Sequence, residues 1–478
     1  CAPPPGPGGG GGGGPPKEDS MSQSIHPVAQ QIEETYRRRT PGSAERHHAA
    51  QRSLPGGDSR TITYFHPYPL YIAEGRGQRM FDVDGNEYLD FLGNYTSIIH
   101  GHGHPKLAQA IAEQAARGTA FGACTDVQVA LAEEICRRMA SVSQVRFCNS
   151  GTEATMNAIR AARAFTGRSK VLKTEGGYHG SHDLAEISVA PPLDAAGPRD
   201  APRAVPGEPG IPDAVVQDVV IVPFNDADAA RAAFAHHGGE LAAVIIEPML
   251  GATGTIPAEE GYLPLLRELC DEYGALLIFD EVITLRLDEG GAQTLYGVEP
   301  DLTTLGKIIG GGLPVGAFGG RADVMALFAP PEPRMVQSGT YNANPITMAA
   351  GLAAMQMLTA DEIARINRLG ERLTEGLQNA FDEMGVVGQI TGIGSLRTVH
   401  FTAEPVRDYR SMATSHAGLQ RLMHLGLLNR GIFTAKRGMV ATSTPMSEAD
   451  TDTFVSAFAD LLGELKPYIA DEVPHLLG

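Results

Sequence analysis

"ALLIFDEV", residues 275–282, is an apolar run of strand length that ends abruptly in two carboxylates. A carboxylate at the end of a buried strand is costly unless a cation or hydrogen-bond donors meet it. Asp280 is therefore expected to have a specific partner; a loop aspartate reaching solvent is the ordinary alternative. Were that partner a protonated heterocyclic nitrogen, the neighbouring negative charge would hold the ring cationic. Runs of the same kind lie upstream: "VRFCN" (145–149), "KVLKT" (170–174), "VVIVPF" (219–224) and "AAVIIEP" (242–248). Between them, 153–166, 227–236 and 258–273 have helix length and amphipathic patterning. Near-continuous apolar strands alternating with helices imply an α/β fold with a mostly parallel sheet covered on both faces. In such sheets ligands collect beyond the carboxyl ends of the strands, where the polar residues of these runs fall.

The flanks read differently. "CAPPPGPGGGGGGGPPKEDS" (1–20) is low-complexity sequence expected to be disordered, and Met21 directly after it is a plausible natural start. Residues 26–53 have mixed helical character, with Val28, Ile32 and Tyr36 at a spacing of four, as in a docking arm. After about residue 340 the helical stretches 343–358 and 361–383 and the weaker strand candidates "LRTVHF" and "MVATST" suggest a separate, smaller α+β lobe. The expected division is an extension over 1–20, an arm and part of the small lobe over 21–85, a large domain over 86–335 and a C-terminal small domain over 336–478. The Pro-rich stretch 192–217 is long for a connection within a compact domain; a mobile loop near a site and a solvated insertion are both open.

With 38 Lys+Arg against 56 Asp+Glu, the net charge of -18 disfavours nucleic acid and anionic membrane as partners and points to small molecules. Cysteines at 1, 124, 136, 148 and 270 form an odd set without C-x-x-C spacing, which suggests a reducing cytoplasm. Neither a membrane span nor an export signal is expected, and no metal-ligand set stands out.

Three further motifs carry chemistry. In "NSGTEATMNAIRAARAFTG" (149–167), Ser150 and Glu153 have capping-box spacing, and Gly151 at a strand-to-helix turn permits close approach. The exposed amides and positive helix end, with the hydroxyls of Ser150 and Thr152, suit a phosphate; a plain capped helix is the alternative. "EGGYHGSHD" (175–183) can lay Tyr178 or His179 against a flat ring, or be an ordinary turn. "TTLGKIIGGG" (303–312) keeps one lysine in apolar, glycine-rich company. Lys307 could simply snorkel, but a desolvated lysine has a lowered pKa and can act as a neutral amine nucleophile. A phosphate cradle, an anion for a ring nitrogen, an aromatic for a ring face and an amine nucleophile are together what a protein supplies to pyridoxal 5'-phosphate (PLP), with Lys307 forming the Schiff base.

On "LDFLGNYTSIIHGHGHP", "NSGTEATMNAIRAARAFTGR", "GGYHG", "IIEP", "FDEV", "LGKIIGGGLPVGAFGGRADVM" and "SGTYNANPITMAAG", the chain resembles the class III, fold-type I aminotransferases over roughly residues 54–460, within the glutamate-1-semialdehyde aminomutase-like branch. The resemblance implies Lys307 as the Schiff-base lysine, Asp280 as the pyridinium partner, Ser150, Gly151 and Thr152 as the phosphate cradle and Tyr178 as the stacking aromatic. It implies an acid near the site at Glu247, and Thr340 reaching the phosphate across a homodimer interface. Where aminomutases usually carry "GGVNSPVR" and "DEVMTGFR", this chain has "PGGDSRTITYFHPYPL" and "DEVITLRLDEGG". With "AKRGMV" near residue 437, that pattern is more similar to β-phenylalanine aminotransferases, which makes Arg60 and Arg437 candidate carboxylate binders. The expectation is a PLP-dependent aminotransferase passing the amino group of a β-amino acid to a 2-oxo acid. Glutamate-1-semialdehyde 2,1-aminomutase and a catalytically inactive binding or regulatory dimer are the alternatives.

Overall fold

The computed structural model describes residues 26–478; the Gly/Pro-rich segment expected to be disordered lies outside them. Seven strands form the central sheet: β1 (Gln144–Cys148), β2 (Lys170–Thr174), β3 (Val219–Val222), β4 (Leu241–Ile246), β5 (Leu276–Asp280), β6 (Leu302–Gly306) and β7 (Gly316–Gly320), in the spatial order β1-β7-β6-β5-β4-β2-β3. The pairings from β3 across to β6 are parallel. Only β7 runs against its neighbours, pairing antiparallel with both β6 and β1. All the other strands therefore end at the same edge of the sheet.

Alternation along the strands divides the core. Val171, Ala243, Ile245 and Ile278 face one way, onto the Gly151–Thr166 helix. Leu172, Val244, Ile246, Leu277 and Phe279 face the other, onto the Ala227–His237 and Tyr262–Tyr273 helices. Both faces are covered, which is why the strands read as continuous apolar runs. Each fully buried Leu, Ile or Phe contributes about 1.5–3 kcal/mol. On the Gly151–Thr166 helix, Ala158, Ala161 and Ala162 are wholly buried, and their small side chains let it lie close to the sheet.

The chain ends come together in a second body. Ile72–Arg76, Arg79–Asp82 and Glu87–Asp90 form a sheet with Ile432–Phe433 from the far end of the chain. The arm segment is two helices, Pro27–Arg39 and Pro41–Ala50; Ile32 and Tyr36 sink into a core with Phe381, Leu425, Phe454 and Phe458. The Tyr36 hydroxyl donates to the Tyr68 carbonyl at 2.9 Å. The Pro345–Met357 helix, grouped with the small lobe by sequence position, packs against Pro105–Arg117, Asp126–Arg138 and the Lys307–Gly310 turn. Among the described residues no helix is long and apolar enough to cross a membrane, and Cys124, Cys136, Cys148 and Cys270 are free.

The stretch 192–217 is tied to both bodies. Arg199 pairs with Asp226 at 3.0 Å and with Asp408, Arg410 donates to the Gly197 carbonyl at 2.9 Å, and Tyr409 donates to the Pro191 carbonyl at 2.7 Å. A short helix, Asp213–Gln217, closes it.

Arg410 also grips Glu175, at the end of β2, with two bonds of 2.7 Å. The Glu175 side chain is 1% exposed, so this pairing offsets the cost of burying it. Replacing Arg410 by Met should cost about 3 kcal/mol by stranding that carboxylate. Urea unfolding would read the loss, and adding Glu175→Gln to Arg410→Met should recover most of it.

Candidate active site

The shared edge of the sheet is where the sequence signals meet. Lys307 follows β6, Asp280 ends β5, Glu247 follows β4, Tyr178 and His179 stand on the turn after β2, and Gly151 and Thr152 open the helix after β1. All seven line one cavity of about 370 Å³. Arg60, from the segment following the arm, lines it as well.

Asp280 is 4% exposed and its oxygens are held from behind. Oδ1 accepts from the Val282 amide at 3.1 Å, and His179 Nδ1 donates to Oδ2 at 2.9 Å. The far ring nitrogen of His179, Nε2, has no partner, and burial lowers this histidine's pKa while Asp280 opposes the shift. His179 is thus a buried support for the carboxylate; Tyr178, 37% exposed, is the aromatic of this turn free to meet a ring face. The Thr155 hydroxyl fixes the turn by donating to the His179 carbonyl at 2.6 Å.

Glu247 braces the same turn. Its two oxygens accept from the amides of Tyr178 at 3.0 Å and Gly251 at 2.9 Å. Burial first, then the nearby Asp280 charge, push its carboxyl well above the usual carboxylate range. Burial lowers the Lys307 pKa, with Asp280 and Glu247 pulling the other way. Lys307 also sits in the left-handed backbone region, at φ 48°; a non-glycine residue held there at a site edge marks a constrained side-chain direction.

The phosphate candidates separate. The Ser150 hydroxyl accepts from the Glu153 amide at 3.1 Å, as expected of a cap. The reciprocal half of the capping box goes elsewhere, because Glu153 accepts from the Asn149 amide at 2.9 Å. The Ser150 hydroxyl accepts the cap bond and keeps its hydrogen free to donate. Ser150 is absent from the cavity lining, whereas Gly151 and Thr152 belong to it. Their first-turn amides have no intrahelical acceptor. A Cβ on Gly151 would come within 3.3 Å of both Val282 methyls, so glycine keeps this cradle open. Thr340 is exposed and outside the lining. Arg437 is exposed on a loop outside the lining too, yet with Arg60 it counteracts the upward push of burial on the Tyr95 phenol.

Sequence reasoning passed over Asn94 and Tyr95, which line the cavity. Arg60 Nη1 donates to Asn94 Oδ1 at 2.8 Å, and its guanidinium lies 5.3 Å from the Tyr95 ring centre. Asn94, Tyr95 and Thr96 all have positive φ; the Gly-Asn pair within "FLGNYTS" was the available signal, since both residues tolerate that conformation.

The pattern of the family described as aminotransferase class-III matches residues 63–462. The chain belongs to this family. It is 40% identical over 440 residues to a β-phenylalanine transaminase of Variovorax paradoxus, covering 91% of this chain and 96% of that protein. A glutamate-1-semialdehyde 2,1-aminomutase of Sorangium cellulosum is 41% identical over 430 residues, covering 89% and 97%. The crystal structure of an ω-transaminase from Sphaerobacter thermophilus superposes with a TM-score of 0.84 at 47% identity, covering 88% of this chain and 97% of that one. Class-III aminotransferases are fold-type I, PLP-dependent transaminases.

The cavity fits that cofactor. With one protein donor on each oxygen, Asp280 keeps acceptor capacity, the glycine-opened helix end suits a phosphate, and Lys307 is in reach of the same space. Gly180 keeps the cradle's outer wall, at φ 94°, where a Cβ would fall 2.6 Å from Thr152 Cα. Gly180→Ala should therefore weaken PLP affinity by at least about tenfold, measured by equilibrium dialysis of the apoprotein, with the far-ultraviolet circular dichroism unchanged.

Proposed function

We propose that this chain moves an amino group from a β-amino acid to a 2-oxo acid, with Lys307 as the attaching and proton-carrying residue. The observation that supports the choice of substrate is Arg60, whose guanidinium opens onto the Lys307 cavity and is held there by one bond to Asn94 and the face of Tyr95. A guanidinium so placed offers a two-pronged seat for a carboxylate at a distance from the reacting carbon. The β-phenylalanine relative agrees with this reading.

When bound, PLP supplies an electron sink for the bond broken at the amine-bearing carbon. The chain's residues do the rest. Asp280, anchored by His179, would meet the ring nitrogen with its free acceptor capacity. The Gly151 and Thr152 amides would hold the phosphate, and Tyr178 would cover a ring face. Lys307 Nζ would carry the proton between carbons, and burial shifts its pKa in the direction of the neutral amine that this needs. Thr340, outside the cavity here, would reach the phosphate from a second copy, making a homodimer the working unit. Arg437 would serve a second carboxylate.

The aminomutase reading stands second, favoured by the 41% identity to such an enzyme. The two differ in whether an external oxo acid is required. β-Phenylalanine added alone to the holoenzyme should release about one equivalent of its 3-oxo acid, and 2-oxoglutarate or pyruvate added afterwards should yield glutamate or alanine. Formation of 5-aminolevulinate from glutamate-1-semialdehyde with no oxo acid, and no reaction with β-amino acids, would establish the second reading instead.

Lys307→Ala should retain the fold and lose turnover by orders of magnitude, since attachment and proton transfer go together; single-turnover product release would reveal any residue of activity. Arg60→Ala should raise KM for at least one carboxylate substrate by roughly ten- to a hundredfold, the value of about 1.5–3 kcal/mol for a charge-assisted bond. Steady-state kinetics with both substrates varied would show which one.

A further inference from the structure

Behind the active cavity lies a second chamber of about 450 Å³, beneath the 50–72 segment and against the C-terminal lobe. The two share a wall, because Arg60, Asn94 and Tyr95 line both. Most of the chamber's surface is apolar, with Leu54, Ile62, Phe65 and Phe433 among its walls. The charged groups on it are nearly all engaged: Asp90 with His102 at 2.8 Å, Lys436 with the Tyr64 carbonyl at 2.8 Å, and Asp58 with the Ser59 and Arg60 amides at 2.6 and 3.1 Å. Arg60 itself is exposed and has the single side-chain bond to Asn94, so the shared wall is lightly fastened.

Two buried polar side chains on the chamber are not engaged. His424 is 3% exposed, and neither of its ring nitrogens has a hydrogen-bond partner. Thr434 is 1% exposed, and its hydroxyl has none either. The Phe65 ring meets His424 edge-on at 4.5 Å. Burial lowers the His424 pKa to about 3, so the ring is neutral and offers one donor and one acceptor. Buried polar groups are ordinarily satisfied by protein, water or ligand. Two unsatisfied ones on a mostly apolar chamber that adjoins a substrate cavity call for a partner that is mostly apolar with a polar end.

We propose that the chamber extends the substrate site: it takes the apolar tail of a carboxylate substrate seated at Arg60, and His424 and Thr434 bond a hydroxyl or carbonyl at the far end of that tail. This rests on Arg60 as a carboxylate seat, not on the identity of the amino donor. The amino acids accommodated are then those with long, terminally oxygenated side chains as well as compact aromatic ones.

The test is calorimetric binding of two carboxylate series to the holoenzyme, plain alkanoates and ω-hydroxyalkanoates, in increasing chain length. Above a threshold length the ω-hydroxy member should bind roughly tenfold tighter than its plain counterpart. Thr434→Val, or His424→Phe, should abolish that preference while leaving the short carboxylates unchanged; should His424→Phe not fold, Thr434→Val makes the same comparison alone. Ile62→Trp, placed at the exposed edge of the chamber, should weaken the long members of both series. No dependence on tail length, or a hydroxyl preference that survives in each polar variant, would show that the chamber holds only water and overturn the proposal. Because neither series carries an amine, these results stand apart from the donor assay: a chamber that fails beside normal β-phenylalanine turnover fails alone, and length-dependent binding beside inert β-amino acids removes only the donor assignment.

Discussion

The architecture turns on one buried charge. Asp280 terminates a strand whose other residues are almost wholly dry, and a carboxylate there is tolerable only because the Val282 amide and the His179 ring meet it from behind. His179 in turn is held by its backbone on the Gly151–Thr166 helix, and its turn is braced by Glu247. The carboxylate is thus fixed by three chain segments that approach along separate strands. With its back occupied, its remaining acceptor capacity points the chemistry toward the cavity. The same low-dielectric surroundings that make the charge costly lower the Lys307 pKa and raise that of Glu247. Burial is thus the first cause of the shifts at Lys307, Glu247 and His179 alike.

This also accounts for what the sequence made legible. Asp280 and Glu247 each interrupt apolar sequence at the carboxyl end of a strand, where a polar residue is conspicuous because the residues before it are buried, and Lys307 stands out as the one charge among the isoleucines and glycines that follow it. The expected strands "KVLKT" and "ALLIFDEV" match β2 and β5 with little or no shift at the ends. β7 was not legible. Three of the five residues of "GAFGG" are glycine, so it reads as a loop. Glycine is needed there because a Cβ on Gly316 would lie 1.9 Å from the Ser150 carbonyl oxygen and one on Gly319 2.4 Å from that of Gln144. β6 was hidden for a related reason: "LTTLG" has little apolar bulk, though all of it is buried. The site residues that escaped notice, Asn94 and Tyr95, owe their position to left-handed backbone, and composition gives little trace of that. For Ser150 the spacing gave the cap that the structure shows, while its hydroxyl hydrogen stays available to a ligand.

The long Pro-rich stretch 192–217 is the solvated insertion that its composition allowed: most of it is exposed, and Ala196 alone is buried. It contributes nothing to the lining of the active cavity, and it is bound by Arg199 and Arg410 to the body that closes over the sheet. Arg410 joins that strap to Glu175, three residues before Tyr178 in the same turn. The relative placement of the two bodies and the position of Tyr178 therefore share one ion pair. A Cβ on Gly176 would fall 2.9 Å from Tyr409 Cβ, so there is little slack in this joint.

The central claim is that Asp280, fixed by His179, holds the cofactor's ring nitrogen protonated. Nitrogen-15 NMR of the holoenzyme reconstituted with PLP labelled at the ring nitrogen measures that proton directly. The wild-type protein should show a pyridinium signal that stays constant across neutral pH, and Asp280→Asn should move it to the neutral pyridine position. A neutral ring in the wild type, or a pyridinium undisturbed by Asp280→Asn, would contradict the account.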